Sequence, residues 1–262
     1  MEILAIANQK GGVGKTTTAV NLAASLAAKR KRVLLLDIDP QGNATTGTGL
    51  DKNELDLTAA DILLDGAPLQ QAIVKSPAGF DVIGANRDLA GMDITLMGQT
   101  NSHELLKKAL SGSSAVEKYD YVIIDCAPSL NLLTINALVA TDGVIIPMQC
   151  EYYALEGLAD LSQTIDRLTE LNSRLHIRGV VRTLFDARNT LANDVSNELE
   201  AHFGDIMYKT VIPRNIRLAE APAHGMPVLN YEKSSKGAQA YLQLATEVIK
   251  QSRQLSLALN RP

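Results

Sequence analysis

The chain has 262 residues, of which 46% are apolar, and its formal net charge is −4. An acidic balance excludes a protein that binds nucleic acid over its whole surface, so any contact with DNA must come from a local cationic patch. Two cysteines without metal-binding or redox spacing and four scattered histidines argue against a disulfide scaffold, an iron–sulfur site and a zinc site.

The N-terminal residues MEILAIANQ contain neither a basic region nor a long apolar run. We therefore expect no signal peptide and no membrane span in this chain. Together with the two cysteines, which suit a reducing compartment, this favours a cytoplasmic protein.

Short runs of β-branched and leucine residues alternate with segments whose apolar residues recur at helical spacing. The runs are continuous, as in strands buried on both faces, which predicts an α/β fold with a mainly parallel twisted sheet and helices on both faces. No linker divides the chain, so we predict one domain over residues 1–250 and a flexible tail over residues 251–262. The predicted strands are Ile3–Ala7, Val33–Asp37, Phe80–Gly84, Tyr121–Asp125, Gly143–Pro147, Ile177–Thr183 and Tyr208–Ile212. The predicted helices are Thr16–Lys29, Asp88–Met97, His103–Leu110, Leu130–Ala140, Leu155–Leu171 and Leu191–Phe203.

The segment NQKGGVGKTTT, residues 8–18, joins the first predicted strand to the first predicted helix, which is the context of a P-loop NTPase. It departs from the usual pattern G-x-x-x-x-G-K-[ST], with Gln9 at the first glycine position and an additional lysine, Lys10. Its glycines would let backbone N–H groups approach phosphate oxygens at a helix N-terminus. Lys15 would reach the β- and γ-phosphates, and the Thr16 hydroxyl would ligate Mg²⁺. The nucleotide-binding residues predicted in this loop are Gly11, Gly12, Val13, Gly14, Lys15, Thr16 and Thr17.

Two predicted strands end in carboxylates. YVIIDCAPS ends its apolar run in Asp125, which suits a Walker B carboxylate that holds Mg²⁺ through water. VLLLDIDPQGN carries Asp37 and Asp39, which alternation places on the same side of the strand. Ligands of open α/β sheets bind beyond the carboxyl ends of the strands, so we expect these carboxylates and Lys15 at one rim. For Asp37 and Asp39, a structural cap and a solvated charge are the alternative.

Five motifs occur in an order that resembles the chromosomal ParA/Soj proteins, which segregate DNA. They are KGGVGKTT (the deviant Walker A signature), LLLDIDPQGNAT, YDYVIIDCAPSLNLLTINAL, PMQCEYYALEGL and VIPRNIRLAEAP. The resemblance extends from about Met1 to Lys250. It implies an ATP hydrolase that binds ATP and Mg²⁺ and forms an ATP-dependent homodimer.

The resemblance also implies roles for individual residues. Lys10 would reach across the dimer to the phosphates of the ATP bound by the other subunit, and Asp39 would position the attacking water. Asp37 would lie close to the magnesium and phosphate site. The catalytic residues are thus Lys10, Lys15 and Asp39, the metal-site residues are Thr16, Asp37 and Asp125, and the residues that border adenine are Pro213, Arg214 and Asn215.

The C-terminal third is locally basic. Residues 174–188 contain four arginines and His176, and within this segment only Asp186 offsets them. In the resembling family the segments FDAR and IPRNIR belong to a DNA-binding face, which points to Arg188 and Arg217, with Arg182 as a further candidate. Such contacts touch phosphates, so they imply non-specific binding of double-stranded DNA, with a salt dependence that roughly doubles on dimerisation. Solvated arginines at helix and strand ends are the alternative.

The resemblance further implies nucleoid association and a ParB-type centromere-binding partner that stimulates hydrolysis and release from DNA. Since the first predicted strand begins at Ile3, we expect no helix-turn-helix extension and no operon autoregulation. One alternative is a MinD-like membrane-positioning ATPase, although the C-terminal residues carry few cations and we expect no stable membrane association. The others are an amide synthase or metal-cluster carrier, the latter disfavoured by the lack of paired cysteines, and a nucleotide-gated regulator of replication initiation.

Overall fold

A central sheet forms the middle layer of the fold. The computed structural model describes residues 1–96 and 98–259. Within these ranges the eight strands of the sheet are β1 Glu2–Ile6, β2 Val33–Asp37, β3 Val74–Lys75, β4 Asp81–Ile83, β5 Tyr121–Asp125, β6 Gly143–Gln149, β7 His176–Phe185 and β8 Met207–Pro213. Their spatial order is β3-β4-β2-β5-β1-β6-β7-β8, and all neighbours are parallel except β3 and β4. The predicted mainly parallel α/β sheet is confirmed.

Helices cover both faces of the sheet. In chain order they are α1 Lys15–Ala28, α2 Asn43–Gly47, α3 Ala59–Leu64, α4 Met92–Thr95, α5 Leu105–Ser111, α6 Leu132–Ala140, α7 Ala154–Leu168, α8 Thr190–Phe203, α9 Ile216–Glu220, α10 Val228–Tyr231 and α11 Lys236–Leu259. Helices α1 and α11 pack together on one face, and α5 to α8 contribute to the core on the other. In the described ranges, no helix is both long and apolar enough to span a membrane.

The central strands are buried on both faces, which explains their continuous apolar runs. Every residue of β2 and of β5 is buried. Leu34 and Leu36 contribute to the core beneath α5 to α8, whereas Leu35 contributes to the core beneath α1 and α11. Successive side chains of a strand point to opposite faces, so a strand between two helical layers needs apolar residues at every position.

The predicted helix Asp88–Met97 is wrong as one element. The chain forms a 3₁₀ turn at Arg87–Leu89 and then α4, and Gly91 between them has a φ of +90°. That left-handed conformation breaks helical geometry and is open to glycine without steric cost. Met97 lies outside the described residues.

Helix α11 lies outside the predicted helices and continues past residue 250, where the predicted domain ends. The Ser252 hydroxyl accepts hydrogen bonds from the Tyr121 hydroxyl at 3.0 Å and from the Arg178 guanidinium at 3.1 Å. The residues predicted as a tail therefore include the last turns of a helix, tied to β5 and β7 at Ser252. Residues 260–262 lie outside the described part of the chain.

Candidate functional site

The glycine-rich loop leaves β1 and enters α1 directly. Gly12 and Gly14 have φ values of +74° and +87°, and Gly14 forms the N-cap of α1. Asn8 anchors the start of the loop: its amide donates to the Pro147 carbonyl at 2.8 Å, and its side-chain oxygen accepts from the Lys10 N–H at 3.0 Å. The loop thus has the left-handed turns that let backbone N–H groups converge ahead of a helix N-terminus.

Lys15 is buried at the first position of α1. Its Nζ donates to the Lys10 carbonyl at 3.0 Å, which folds the side chain back over the loop. Burial lowers the pKa of Lys15, and the nearby negative charge of Asp125 opposes that change.

Asp125 and Asp37 lie side by side at the carboxyl ends of β5 and β2, where their Cα atoms are register partners. Asp125 is fully buried, and neither carboxylate oxygen meets hydrogen-bond geometry with a partner in the described ranges. Burial, reinforced by the charge of Asp37, raises the pKa of Asp125 well above its usual value, while the nearby Thr16 hydroxyl opposes the rise. A carboxylate this poorly compensated is suited to a cation.

Asp37, by contrast, is already hydrogen-bonded. Its Oδ2 accepts from the Thr45 N–H and hydroxyl, both at 2.8 Å, and its Oδ1 accepts from the Asp39 N–H at 3.1 Å. Burial nonetheless raises the pKa of Asp37 to about 6. Asp39 is largely buried and accepts from the Gln41 N–H at 2.9 Å. The structure therefore brings Lys15, Asp37 and Asp125 to one rim and gives Asp37 a structural role that the sequence left open.

Lys10 forms an ion pair with Glu151 of the same chain, and both side chains are about half exposed. Glu151 follows β6 and precedes two exposed tyrosines, Tyr152 and Tyr153. The sequence prediction did not single out Glu151, although it lies inside the motif PMQCEYYALEGL.

The segment predicted to border adenine follows β8. The Arg214 N–H donates to the Phe185 carbonyl at 2.9 Å, and the Arg214 side chain is exposed. The side-chain oxygen of Asn215 is buried and has no hydrogen-bond partner in the part of the chain that the structure describes. Such an atom is available to a ligand donor.

The assignment of Arg182 to a DNA-binding face is corrected by the structure. Its guanidinium is buried and donates to the Ser196 hydroxyl at 2.9 Å, to Glu200 at 2.9 Å and to the Tyr208 carbonyl at 3.2 Å. Strand β7 turns this side chain into the protein interior beneath α8, so Arg182 braces strands rather than facing solvent.

The remaining arginines of this region are also paired with acids, Arg174 and Arg178 with distant ones and Arg188 and Arg217 with neighbours in sequence. Arg178 is buried beside Glu2, with 2.8 Å between Nε and Oε1, and Arg174 pairs with Asp142. Arg188 is 90% exposed and pairs with Asp186, whereas Arg217 is 46% exposed and pairs with Glu220. Ion pairs thus offset much of the positive charge of the basic segment. Of the three predicted DNA contacts, Arg188 and Arg217 are exposed.

Comparisons with known proteins show the family and the fold of this chain. A family model described as an AAA domain matches residues 1–177. The chromosome partitioning protein ParA of Caulobacter vibrioides is 52% identical over 256 residues, which are 97% of this chain and 96% of that protein. The sporulation initiation inhibitor protein Soj of Bacillus subtilis is 53% identical over 250 residues, 94% of this chain and 98% of that protein. A crystal structure of cobyrinic acid a,c-diamide synthase from Mycobacterium smegmatis with bound ATP analog and magnesium has 35% identity and a TM-score of 0.83, covering 97% of this chain and 96% of that one. The chain therefore belongs to the ParA/Soj family of partitioning ATPases, with the P-loop NTPase fold that its motifs predict.

Proposed function

We propose that this chain is an ATP-hydrolysing partitioning protein whose ATP-bound homodimer binds double-stranded DNA without sequence preference. A ParB-type centromere-binding protein would stimulate hydrolysis and so release the dimer from the nucleoid. The name of the ParA relative, a chromosome partitioning protein, supports the partitioning role. The observation that carries the proposal is the buried Asp125 carboxylate, neither oxygen of which meets hydrogen-bond geometry with a partner in the described ranges, close to the buried Lys15 at the start of α1.

The residues at this rim fit Mg²⁺, which prefers oxygen ligands. The Thr16 hydroxyl and the Asp125 carboxylate offer oxygens there, with Asp37 beside them. Across residues 1–96 and 98–259, no group of three or more His, Cys, Asp or Glu side chains could hold a metal by itself. Phosphate and water oxygens would therefore complete the coordination. When bound, Mg²⁺ would neutralise charge on the β- and γ-phosphate oxygens.

The chain's own residues would do the remaining work by positioning. Backbone N–H groups from Gly11 to Thr17 would hold the phosphates, and Lys15 would move from the Lys10 carbonyl to the β- and γ-phosphates. Asp37 keeps the Asp39 N–H in place, so Asp39 would be held where it positions the attacking water. Phosphoryl transfer depends mainly on such positioning and charge stabilisation, so no strong general base is required.

Exposed cations would make the contacts across the dimer and the contacts with DNA. Lys10 would leave Glu151 and reach the nucleotide of the partner subunit, which would make dimerisation depend on ATP. Pro213, Arg214 and Asn215 would border the adenine. Arg188 and Arg217 would contact DNA phosphates, where a phosphate would compete with Asp186 and Glu220 for each guanidinium.

The test is binding to a random-sequence DNA duplex with ATP, with ADP and without nucleotide, each at two salt concentrations. We expect tight, salt-sensitive binding only with ATP. Absence of binding in every state would contradict the DNA role, and equal binding in all three would contradict nucleotide control. Adding a ParB-type protein should raise the rate of phosphate release; an unchanged rate would remove it as the stimulating partner.

ATP-dependent amide formation is a second candidate, because the similar Mycobacterium smegmatis structure is that of a cobyrinic acid a,c-diamide synthase. The ParA and Soj relatives share 52% and 53% identity with this chain, against 35% for that structure, and so favour partitioning. ATP turnover that increases with cobyrinic acid and not with DNA would reverse this preference.

A further inference from the structure

One buried hydrogen bond links the glycine-rich loop to β7. The Thr183 hydroxyl donates to the Val13 carbonyl at 2.7 Å, and both residues are buried. Val13 lies between Gly12 and Gly14, the two loop residues in left-handed conformations. A rearrangement of the loop around a nucleotide would therefore displace the carbonyl that accepts the hydrogen bond of Thr183.

The next residue of β7, Leu184, has a φ of +51°. This left-handed conformation is costly for a leucine, and it persists only where the surrounding structure holds it. The pairing with β8 is irregular at the same place, because three residue steps of β7, from Arg182 to Phe185, oppose two of β8, from Val211 to Pro213. Such bulges commonly occur near functional sites and redirect the chain that follows.

Two segments with predicted functions lie next to this bulge, namely the segment predicted to border adenine and the turn that carries Arg188. The Phe185 carbonyl accepts the Arg214 N–H, which ties it to the segment predicted to border adenine. Asp186 accepts the backbone N–H of Arg188 at 3.0 Å and its Nε at 2.9 Å, which fixes the turn that presents this exposed arginine. Only Leu184 and Phe185 separate Thr183 from the turn.

We propose that Thr183 is a positioning residue that couples nucleotide in the glycine-rich loop to the turn bearing Arg188, through the strained bulge at Leu184. The inference rests on the proposed function, since it requires that both ATP and DNA bind this chain. It assigns the coupling to one hydroxyl and one strained residue, neither of which is among the predicted nucleotide-binding or DNA-binding residues. A nucleotide that moves the Val13 carbonyl would shift the bulge and with it the direction of the Arg188 side chain.

The experiment measures the affinity for a non-hydrolysable ATP analogue with and without a random-sequence duplex, in wild type, Thr183→Val and Thr183→Ser. Coupling is reciprocal, so DNA must tighten nucleotide binding by the factor by which nucleotide tightens DNA binding. We expect a factor of about five or more in wild type, a typical lower value for coupled sites. Thr183→Val, which keeps the shape and removes the donor, should lower the factor to the part that ATP-dependent dimerisation supplies, and Thr183→Ser should restore it.

The ratio of the two affinities separates coupling from a general structural role. A residue that only stabilises the loop would change nucleotide affinity equally with and without DNA and would leave the ratio unchanged. Equal factors in wild type and Thr183→Val would overturn the inference, provided that wild type binds DNA only with nucleotide. If wild type does not bind DNA in any nucleotide state, the proposed function fails instead. Sedimentation with the analogue should show the same dimer fraction in all three proteins.

A second pair of variants tests the bulge itself and does not depend on the folding of Thr183→Val. Leu184→Asn and Leu184→Gly both remove the leucine side chain and both tolerate a positive φ. Asparagine restricts the backbone more than glycine, so Leu184→Asn should keep most of the coupling and Leu184→Gly should lose it. Equal factors in the two variants would exclude the bulge as the coupling element.

Discussion

At the scale of single residues, the site holds negative charge that nothing in the described ranges fully compensates. Asp125 and Asp37 are buried side by side, and burial raises both pKa values. A carboxyl group whose pKa is raised on folding stabilises the folded state at low pH, and this contribution is lost as the pH rises through the raised pKa. Without nucleotide, these two residues therefore oppose folding near neutral pH, and magnesium with ATP would relieve that cost.

We expect Asp125→Asn to raise the melting temperature of the nucleotide-free protein at pH 8, because burial opposes ionisation of the Asp125 carboxyl group, which the unfolded chain ionises freely at this pH. The rise should shrink at pH 5, below the pKa of about 6 of the adjacent Asp37, since the wild-type pair then carries less charge. For a domain of this size, each kcal/mol corresponds to about 2–4 °C. Thermal denaturation at both pH values measures this, and the same shift at pH 5 and pH 8 would contradict it.

The two lysines of the glycine-rich loop should differ in effect. Lys15→Ala should abolish ATP binding, because Lys15 is the buried cation at the N-terminus of α1. Lys10→Ala, the matched control in the same loop, should keep nucleotide binding by the monomer and lose the ATP-dependent dimer. Equilibrium binding of a fluorescent ATP analogue, with sedimentation in parallel, measures both. Normal affinity in Lys15→Ala would overturn the site.

At the scale of elements, β8 depends on side chains from its neighbours. The Arg182 guanidinium of β7 binds the Tyr208 carbonyl, and the Glu247 carboxylate of α11 accepts the N–H groups of Lys209 and Thr210 at 2.9 and 2.8 Å. These N–H groups belong to an irregular stretch of β8, where Val180 and Arg182 of β7 pair with Met207 and Val211. Side chains thus replace ladder hydrogen bonds at the edge of the sheet, which leaves fewer unpaired groups there.

Arg182 and Arg188 make a matched pair for separating stability from DNA binding. Arg182→Met should lower the free energy of unfolding by about 1–3 kcal/mol, the usual cost of leaving buried polar groups without partners. Arg188→Met, on the surface, should change it by less than about 0.5 kcal/mol and should weaken DNA binding. Urea denaturation and duplex binding measure the two effects. Loss of DNA binding in a fully folded Arg182→Met protein, with full binding by Arg188→Met, would contradict the assignment.

At the scale of the whole molecule, acidic residues outnumber basic ones and the net charge is −4, and all four arginines of residues 174–188 form ion pairs. A monomer with this net charge and a largely paired basic segment would hold DNA weakly at cellular salt. A dimer presents each contact twice, which roughly doubles the salt dependence of binding and raises affinity at low salt. Nucleotide control of dimerisation would then be control of DNA binding.

The dimer can be isolated from turnover with Asp39→Ala, which we expect to bind ATP, dimerise and bind DNA but not to hydrolyse ATP. In that background, adding Arg188→Gln should reduce the slope of log affinity against log salt by about 1.8, since two arginines each account for about 0.9. Filter binding over a salt series gives the slope. An unchanged slope would remove Arg188 from the interface, and a monomeric Asp39→Ala protein in ATP would count against its proposed role.

The sequence by itself determined the sheet, the glycine-rich loop and the carboxylates at the strand ends. These features depend on local pattern: continuous apolar runs specify buried parallel strands, and the placement of Asp37, Asp125 and Lys15 at one rim follows from strand direction. The five motifs, each long and in a fixed order, identified the family. Helix ends were harder to predict from the sequence, because a single left-handed residue, Gly91, divides a segment that has helical spacing.

Only the tertiary structure decided which charges are free. Arg174, Arg178, Arg182 and Arg188 follow one another in a basic segment, yet partners from distant parts of the chain pair with three of them, and burial removes two from the surface. The same holds for Lys10, which pairs with Glu151, and for Thr183, which binds Val13. Charge and hydrogen bonding act through space, and the sequence separation of these partners carries no information about their distance once the sheet has assembled.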